Sequence, residues 1–279
     1  MDVEDWLRGL GLERYADAFR ANDVDARVLP RLTADDLRDL GVGVREADYD
    51  RPDTLRPALD GIERLLLVSG NEVGRRVEQH TAVVDAADAA DVGFIVYTSI
   101  LRADTTQNPL APEHAATEAV LQKSGLPWAA ARNGWYVENY TRQIEAYLGG
   151  GEIVGAAGEG RVSAATRADY AEAAVALLAG DIVDSGGVHE LGGPSFTMAE
   201  LAATITEVTG TTVTYRDLSA EEFRARAVEN GADPGTADFV TALETSIARG
   251  ELETDPGPLT DLLGRGPTSL LDAVRVARL

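Results

Sequence analysis

Residues 64–99, RLLLVSGNEVGRRVEQHTAVVDAADAADVGFIVYTS, decide the fold class of this chain. They open with the continuous apolar run RLLLVS (64–69), pass through a helical pattern from about residue 73 to residue 90, and close with GFIVYTS (93–99). Short apolar runs without alternation are typical of strands that are buried on both faces. A strand, a helix and a second strand in this order predict a parallel pair joined by a right-handed crossover.

The same alternation extends on both sides of this stretch. VGVREAD (42–48) and TLRPALDGI (54–62) are predicted as a strand and a helix, and a helix around residues 112–124 precedes the strand WAAARNG (128–134). The pattern predicts an α/β fold, a doubly wound parallel sheet with helices on both faces. Beyond about residue 150 the elements shorten, and we expect this part to complete the far edge of the sheet and to form a small lid over the substrate end. The helices predicted there span about residues 197–209, 221–229, 238–249 and 270–277.

The composition excludes several classes of function. The chain has 279 residues, 44% of them hydrophobic, a formal net charge of −22, no cysteine and three scattered histidines. Thiol chemistry is therefore excluded, a histidine metal cluster is not expected, and the negative charge opposes binding to nucleic acid. No apolar run approaches about 18 residues, and acidic residues stand near the N-terminus, so neither a membrane span nor a signal peptide is predicted. We expect a cytoplasmic protein that binds no metal, no nucleic acid and no membrane.

Residues 1–42 have a different pattern, made of short helical segments. The sequence TADD (33–36) is a capping box with aspartate in the last position, and Gly41 stops the helix that follows it. This segment resembles the first four helices of a sterile alpha motif (SAM) domain, at positions Trp6, Leu7, Gly11, Leu12, Tyr15, Phe19, Asn22, Leu29, Leu32, Asp36, Leu37, Leu40, Gly41 and Val42.

The long fifth helix that closes a SAM domain is not predicted here, because the chain continues into GVREADYDRPD (43–53), which contains a proline and no helical stripe. The resemblance implies association with another protein or with a second copy of this chain. The alternative is a helical cap with no partner. We call residues 1–42 the SAM-like segment.

Residues 43–279 carry several long and unusual strings. They are VREADY (44–49), LLLVSGNEVGRR (65–76), YTS (97–99), EHAATEAVL (113–121), RNGWYVENY (132–140), GAAGEGRVSAATRADYA (155–171) and TYRDLS (214–219). In these strings the chain resembles the type 2 NAD(P)H:quinone oxidoreductases, atypical short-chain dehydrogenases of the NmrA-like family. The resemblance implies a Rossmann-like domain that binds NADP(H) or NAD(H) and reduces a small-molecule quinone, with neither a flavin nor a metal.

The resemblance also implies where a dinucleotide would lie. Ligands of open parallel sheets bind beyond the carboxyl ends of the strands, and the matched positions fall at such ends. Asp48, next to Tyr49, would accept a hydrogen bond from the adenine amino group. Ser69, Gly70 and Asn71 would line the ribose path, and Thr98 and Ser99 stand at another strand end. The nicotinamide would be bordered by Asn133, Gly134, Trp135, Tyr136, Val137 and Glu138. Each of these residues is open to the alternative of an ordinary turn or packing role.

Two further residues are candidates. Arg167 precedes a helix, and we expect its guanidinium to contact a cofactor phosphate or a substrate carbonyl, the alternative being a surface pair with Asp169. His114 begins the helix after YTS, near the expected substrate end, and is the candidate for polarising a quinone oxygen, the alternative being a helix-start residue without that role.

The Tyr-x-x-x-Lys pair of ordinary short-chain dehydrogenases is absent. Ala119 stands four residues before Lys123, the only lysine of the chain, so alcohol oxidation by that pair is excluded. Quinone reduction remains possible, because hydride transfer to an electron-poor ring depends mostly on positioning.

The part of the family pattern that would hold the pyrophosphate is missing. The family begins with a strand, a Gly-x-x-Gly-x-x-Gly turn, a helix and a second strand, and the SAM-like segment stands in that place. Gly9-x-Gly11 lacks a third glycine, and Gly155-x-x-Gly158-x-Gly160 follows the wrong part of the sheet. We therefore expect weak cofactor binding, with no sequence signal to choose between NADPH and NADH. The alternative function is a non-catalytic redox sensor or scaffold that acts through the SAM-like segment.

The missing strands lead to two expectations about structure. VGVREA (42–47) is predicted to pair directly and in parallel with RLLLVS (64–69), because an unpaired buried strand edge is costly. The SAM-like segment is too short to bury a large core, so we predict that it folds only when it docks on the α/β body.

Overall fold

The computed structural model describes residues 3, 7–8, 12–25, 28–180 and 186–278. Trp6, Gly9 and Gly11 of the sequence analysis lie outside these residues. The first described elements are α1 (Ala16–Ala21), α2 (Ala34–Asp39) and α3 (Pro52–Leu59), with 3₁₀ turns at Glu13–Tyr15 and Leu29–Arg31. The central elements are β1 (Arg64–Leu67), α4 (Arg76–Ala89), β2 (Phe94–Ile100), α5 (Ala111–Ser124) and β3 (Trp128–Asn133).

The later elements are shorter, as predicted. They are α6 (Glu138–Thr141), α7 (Ile144–Gly150), β4 (Glu152–Gly155), β5 (Arg161–Val162), α8 (Arg167–Ala179), β6 (Gly187–Leu191), β7 (Phe196–Thr197), α9 (Met198–Thr209), β8 (Thr214–Asp217), α10 (Ala220–Glu229), α11 (Pro234–Ala248), α12 (Gly257–Leu263) and α13 (Leu270–Val276).

In the part of the chain that the structure describes, four parallel strands form the central sheet, in the order β1-β2-β3-β6. Every residue of β2 and β3 is buried, which explains why these strands are apolar without alternation. Helices α3, α4 and α5 contribute to the apolar cluster on one face, and α8 and α12 contribute to the cluster on the other. The predicted doubly wound parallel sheet is confirmed.

The predicted strand at residues 42–47 is wrong, and so is its pairing with residues 64–69. Among the described residues β1 pairs only with β2, and residues 42–47 belong to no strand. The Arg45 guanidinium instead donates to the carbonyl oxygens of Ala58 and Asp60, which holds this segment against the end of α3. The edge strand β1 is only four residues long and begins with the exposed Arg64, two features that protect natural sheet edges.

The SAM-like segment has an apolar cluster of its own. The predicted capping box is present, since Thr33 accepts from the backbone N–H of Asp36 and the Asp36 side chain accepts from that of Thr33. Phe19, Leu40 and their neighbours form the cluster, and a cavity of about 700 Å³ lies between the segment and α8. That the segment folds only when docked stays a prediction.

The C-terminal part supplies β6, which forms the far edge of the central sheet. Its other strands form two small separate sheets. β4 pairs in parallel with β8, and β5 pairs antiparallel with β7. The glycine-rich loop at residues 155–160 follows β4, so it lies outside the central sheet, as the sequence indicated. None of the described helices has the length and apolar character needed to cross a membrane.

Candidate functional site

The carboxyl ends of β1 and β2 bring several of the candidate residues together. The backbone N–H of Ser69 donates to Thr98 Oγ1 at 2.8 Å, so the loop after β1 is tied to the end of β2. Thr98 is buried, whereas Asn71, two residues beyond Ser69, is exposed. The sheet therefore positions this part of the predicted ribose path.

A buried histidine fixes the next residue of that loop. The backbone N–H of Gly70 donates to His80 Nε2 at 3.0 Å, and the Gly70 carbonyl accepts from Arg76 Nε at 2.7 Å. Because Nε2 accepts, the proton of the neutral imidazole lies on Nδ1, which contacts Thr117 Oγ1 at 2.9 Å. Burial, together with the charge of Arg76, lowers the pKa of His80 to about 4. The neutral tautomer therefore holds Gly70 in place.

His114 lies in the interior next to this histidine. Its side chain is 6% exposed, and its Nδ1 lies 2.8 Å from the Tyr97 hydroxyl. Burial first, and then the charges of Arg76 and His80, lower the pKa of His114 to about 3. A neutral imidazole in this place packs against Tyr97, and its role in polarising a quinone oxygen stays a prediction.

An open groove of about 490 Å³ lies at the predicted adenine end. It is lined by Glu46, Ala47, Asp48, Tyr49, Asp50, Arg51, Gly70, Asn71, Glu72 and Gln79. Asp48 accepts from the backbone N–H of Asp50 at 2.9 Å and from Arg51 Nε at 3.1 Å, and these bonds lower the pKa of its carboxyl. The Tyr49 hydroxyl donates to the Val68 carbonyl at 3.0 Å.

The charge of this groove is negative. Four carboxylates line it, and the two guanidinium groups near them already form ion pairs, Arg51 with Glu46 and Asp48, and Arg75 with Asp50 and Glu72. Carboxylates suit amino and hydroxyl donors such as those of adenosine, and they disfavour additional phosphate charge.

One polar atom at the end of β3 and one at the start of α6 lack partners among the described residues. Asn133 Oδ1 and Glu138 Oε2 are buried and accept no hydrogen bond within the described part of the chain, although Glu138 Oε1 accepts from the backbone N–H of Arg167 at 2.9 Å. Gly134, the next residue after Asn133 in the sequence, leaves no room for a side chain, because a Cβ would lie 2.5 Å from the Ser163 carbonyl oxygen. Buried acceptors without partners are costly, and a donor from outside the chain would satisfy them.

The three residues that follow Gly134 are partly or fully buried. Trp135 and Tyr136 are partly buried and Val137 is buried, and the Arg167 guanidinium lies 5.2 Å from the centre of the Tyr136 ring. Arg167 makes no ion pair within the described residues. The alternative of a surface pair with Asp169 is wrong, because Asp169 is buried and bound by Arg265 Nη2 at 2.9 Å.

A buried ion-pair network engages Ser99, the remaining candidate. The Ser99 hydroxyl donates to Glu118 at 2.6 Å, and Arg132 binds Glu118, Asp104 and Glu190. Arg132 and Glu118 lie inside the strings RNGWYVENY and EHAATEAVL, yet the sequence analysis did not select them. The signal that could have identified them is the presence of an arginine in the apolar strand β3 and of a glutamate in the packed helix α5.

A second cavity, of about 280 Å³, adjoins Trp135 on the side of the C-terminal part. It is lined by Trp135, Asn139, Tyr140, Gln143, Tyr147, Ile153, Val154, Gly155, Met198, Tyr215, Phe223, Val240, Leu243, Glu244 and Ile247. Tyr140 and Glu244 were not selected from the sequence, because residues 140 and 244 come together only through the tertiary fold. Trp135, one of the residues expected to border the nicotinamide, lines this cavity, whereas His114 does not, and the location of the substrate end stays a prediction.

The described residues fit the two ends of a dinucleotide better than its centre. The acidic groove suits adenosine, and the unpartnered acceptors at Asn133 and Glu138 suit the N–H donors of a carboxamide. No Gly-x-x-Gly-x-x-Gly turn for the pyrophosphate occurs within the 279 residues. In the described ranges no group of three His, Asp or Glu side chains is arranged to hold a metal ion.

Comparisons with known proteins support both resemblances. The family model of the SAM domain (sterile alpha motif) matches residues 1–44. Quinone oxidoreductase 2 of Escherichia coli is 42% identical over 264 residues, which are 94% of this chain and 92% of that protein. An NmrA-like family domain-containing oxidoreductase of Aspergillus flavus is 32% identical over 245 residues, 84% of this chain and 80% of that protein.

The crystal structure of the NADPH-dependent quinone oxidoreductase of Escherichia coli complexed with NADPH matches with a TM-score of 0.83 and 42% identity, and covers 88% of this chain and 87% of that chain. The similarity in sequence and the similarity in fold therefore both extend over most of the two chains. The chain belongs to the NmrA-like family of oxidoreductases, as a relative of the type 2 quinone oxidoreductases.

Proposed function

We propose that this chain reduces quinones with a reduced nicotinamide dinucleotide, NADPH or NADH, and that it binds the dinucleotide weakly. The observation that supports this most directly is the pair of unpartnered buried acceptors, Asn133 Oδ1 and Glu138 Oε2, which stand before and after Gly134 in the sequence, a glycine that admits no side chain. A carboxamide has two N–H donors that suit such acceptors. The relative from Escherichia coli is named a quinone oxidoreductase, and its structure holds NADPH.

Residues at the two ends of the site would hold the dinucleotide. Asp48 would accept from the adenine amino group, and Asn133 and Glu138 would orient the carboxamide next to the flat ring of Trp135. Arg167, exposed and without an ion pair among the described residues, would approach a phosphate. When bound, a reduced nicotinamide supplies a hydride, and the chain itself binds, orients and excludes water.

The weak binding follows from charge. A pyrophosphate carries two negative charges, the chain carries −22, and the adenine-end groove is itself lined by carboxylates. A glycine-rich turn with a helix N-terminus would offset that repulsion, and the 279 residues contain no Gly-x-x-Gly-x-x-Gly turn. The loss of several charge-assisted hydrogen bonds, each contributing roughly 1.5–3 kcal/mol, would weaken binding by several orders of magnitude.

A second candidate function is that of a non-catalytic redox sensor or scaffold. The match of residues 1–44 to the SAM domain favours it, as does the large apolar cavity between the SAM-like segment and α8. Such a protein would bind a dinucleotide or a partner protein without turnover.

Anaerobic assays with 1,4-benzoquinone distinguish the two candidates. The loss of NADPH or NADH absorbance is followed at cofactor concentrations up to the millimolar range. We expect slow, saturable reduction, lost in Asn133→Ala and kept in the control Asn230→Ala, which removes an exposed amide at the end of α10. Absence of turnover in the unmodified chain with either cofactor would overturn the enzyme and favour the sensor.

A further inference from the structure

The cavity next to Trp135 has a lining that suits an uncharged aromatic molecule. Its walls are mostly aromatic and apolar, with the amides of Asn139 and Gln143. Among the described residues that line it Glu244 carries the only carboxyl group, and there is no arginine or lysine. An anionic molecule would find no counter-charge there. The volume of about 280 Å³ is near the lower end of ligand pockets and suits one or two fused rings.

The carboxyl of Glu244 enters this cavity from α11. Its Oε2 accepts from the backbone N–H of Ala156 at 2.9 Å, the one hydrogen bond that it makes within the described part of the chain. Gly155 leaves room for it, because a Cβ there would lie 2.6 Å from Glu244 Oε2. The other carboxyl oxygen has no protein partner among the described residues.

The titratable groups that interact electrostatically with this carboxyl are uncharged or acidic. They are Tyr140 of α6, Tyr147 of α7, and Tyr215 and Asp217 of β8. Burial, the largest effect, and the charge of Asp217 raise the pKa of Glu244, while the hydrogen bond from the Ala156 N–H acts in the opposite direction and does not cancel the rise. With no cation beside it, the carboxyl retains its proton to a higher pH than an exposed glutamate does.

Tyr140 is the second unusual group of the cavity. Its side chain is 7% exposed, and its hydroxyl has no hydrogen-bond partner in the described chain. The hydroxyl of the neighbouring Tyr215, in contrast, donates to Asp217 and accepts from the N–H of Ala157. A buried hydroxyl without a partner at the wall of a cavity is a donor for an occupant.

We infer that this cavity binds a neutral ring bearing a carbonyl or hydroxyl oxygen, which Tyr140 contacts as a hydrogen-bond donor and Glu244 contacts as a proton donor. The inference deepens the proposed quinone reduction and rests on it only for the source of the hydride. Glu244 is the catalytic acid in this arrangement, and Tyr140 binds the ring oxygen.

The reaction balances with one proton from the protein. The hydride from the reduced nicotinamide brings two electrons and one hydrogen nucleus to the quinone. The O–H bond of the Glu244 carboxyl breaks and a new O–H bond forms at the quinone oxygen, which gives the hydroquinone. Glu244, left as a carboxylate, regains a proton from water.

The first test needs no cofactor. Binding of 1,4-naphthoquinone to the full chain is measured by calorimetry, and the difference infrared spectrum is recorded on binding. We expect Tyr140→Phe to weaken binding about tenfold. The infrared band of a protonated carboxyl should shift on binding, persist in the control Glu207→Gln, which changes an exposed glutamate of α9, and be absent in Glu244→Gln.

The second test is kinetic, in single turnovers at high NADPH. The rate should fall as the pH rises through the pKa of Glu244, because only the protonated form donates. Glu244→Gln should remove this pH dependence and lower the rate about 100-fold, while binding of 1,4-naphthoquinone changes little.

Each outcome decides the inference. The inference is overturned if the unmodified chain does not bind 1,4-naphthoquinone. It is also overturned if Tyr140→Phe binds the quinone as tightly as the unmodified chain and Glu244→Gln leaves the carboxyl band unchanged. If binding and infrared results are as expected and NADPH nevertheless reduces no quinone, the cavity assignment stands and the proposed reductase activity fails.

Discussion

A fall in pH from about 7 to about 5 should destabilise this protein through two buried histidines. Burial and Arg76 lower the pKa of His80 to about 4, and burial, Arg76 and His80 lower that of His114 to about 3. In the unfolded chain a histidine has a pKa of about 6.5. Between these values the unfolded chain binds more protons than the folded chain, so stability decreases as the pH falls.

The expected size follows from these pKa values. At about pH 5 each histidine favours the unfolded state by about 2 kcal/mol, since that pH lies about 1.5 units below 6.5 and each unit corresponds to about 1.36 kcal/mol. The two together amount to about 4 kcal/mol, a large part of the 5–15 kcal/mol that is typical of a folded domain. The loss is nearly complete only below the folded pKa values, which are about 4 for His80 and about 3 for His114.

Urea unfolding followed by circular dichroism across this pH range measures the effect. Because the unfolded chain binds nearly two protons more than the folded chain near pH 5, the free energy of unfolding should fall by about 2.7 kcal/mol for each unit by which the pH is lowered. His114→Phe keeps the packing against Tyr97 and should remove about one proton from that slope, which separates the histidine contribution from that of carboxylates. The account of the buried neutral histidines would be refuted if the unmodified chain and His114→Phe had the same slope. It would also be refuted if the free energy of unfolding did not change between pH 7 and pH 5.

Three further predictions concern packing and the SAM-like segment. Asp169→Asn should lower the free energy of unfolding by about 2 kcal/mol, measured in urea, because a buried carboxylate that binds a guanidinium and a backbone N–H is replaced by a neutral amide. Gly134→Ala should cost about 1–3 kcal/mol through the clash with the Ser163 carbonyl, whereas Gly149→Ala, which has open space, should leave the melting temperature nearly unchanged. A peptide of residues 1–42 should show no cooperative thermal transition by circular dichroism, and a sharp transition would contradict the docking prediction.

The central strands could be predicted because burial leaves few alternatives for their sequences. Runs such as FIVYTS have no polar face, so they fit only the interior of a sheet that is covered on both sides. VGVREA (42–47) was predicted wrongly because alternation describes an extended backbone and says nothing about its partner. The hydrogen bonds of Arg45 to the end of α3, separated from it by 13 and 15 residues, decided its place.

The site was predictable where the sheet alone positions it. Ser69 follows β1, Thr98 lies near the end of β2 and Asn133 ends β3, and the topology brings the ends of these parallel strands to one edge. Glu244 was not predictable, because its meeting with Ala156 across 88 residues depends on how α11 packs over β4. The burial of His114 was also beyond the sequence, since a helix-start histidine can face either side.

Calorimetric titration of the unmodified chain with NADPH tests the central claim most directly. The matched protein replaces residues 1–42 with a strand, Gly-rich turn, helix and strand segment taken from an intact relative. We predict that the unmodified chain binds in the high micromolar range or more weakly, and that the replacement tightens binding by several orders of magnitude, because the N–H donors of the turn offset the pyrophosphate charge. Low micromolar binding by the unmodified chain would contradict the account, since another element would then hold the phosphates.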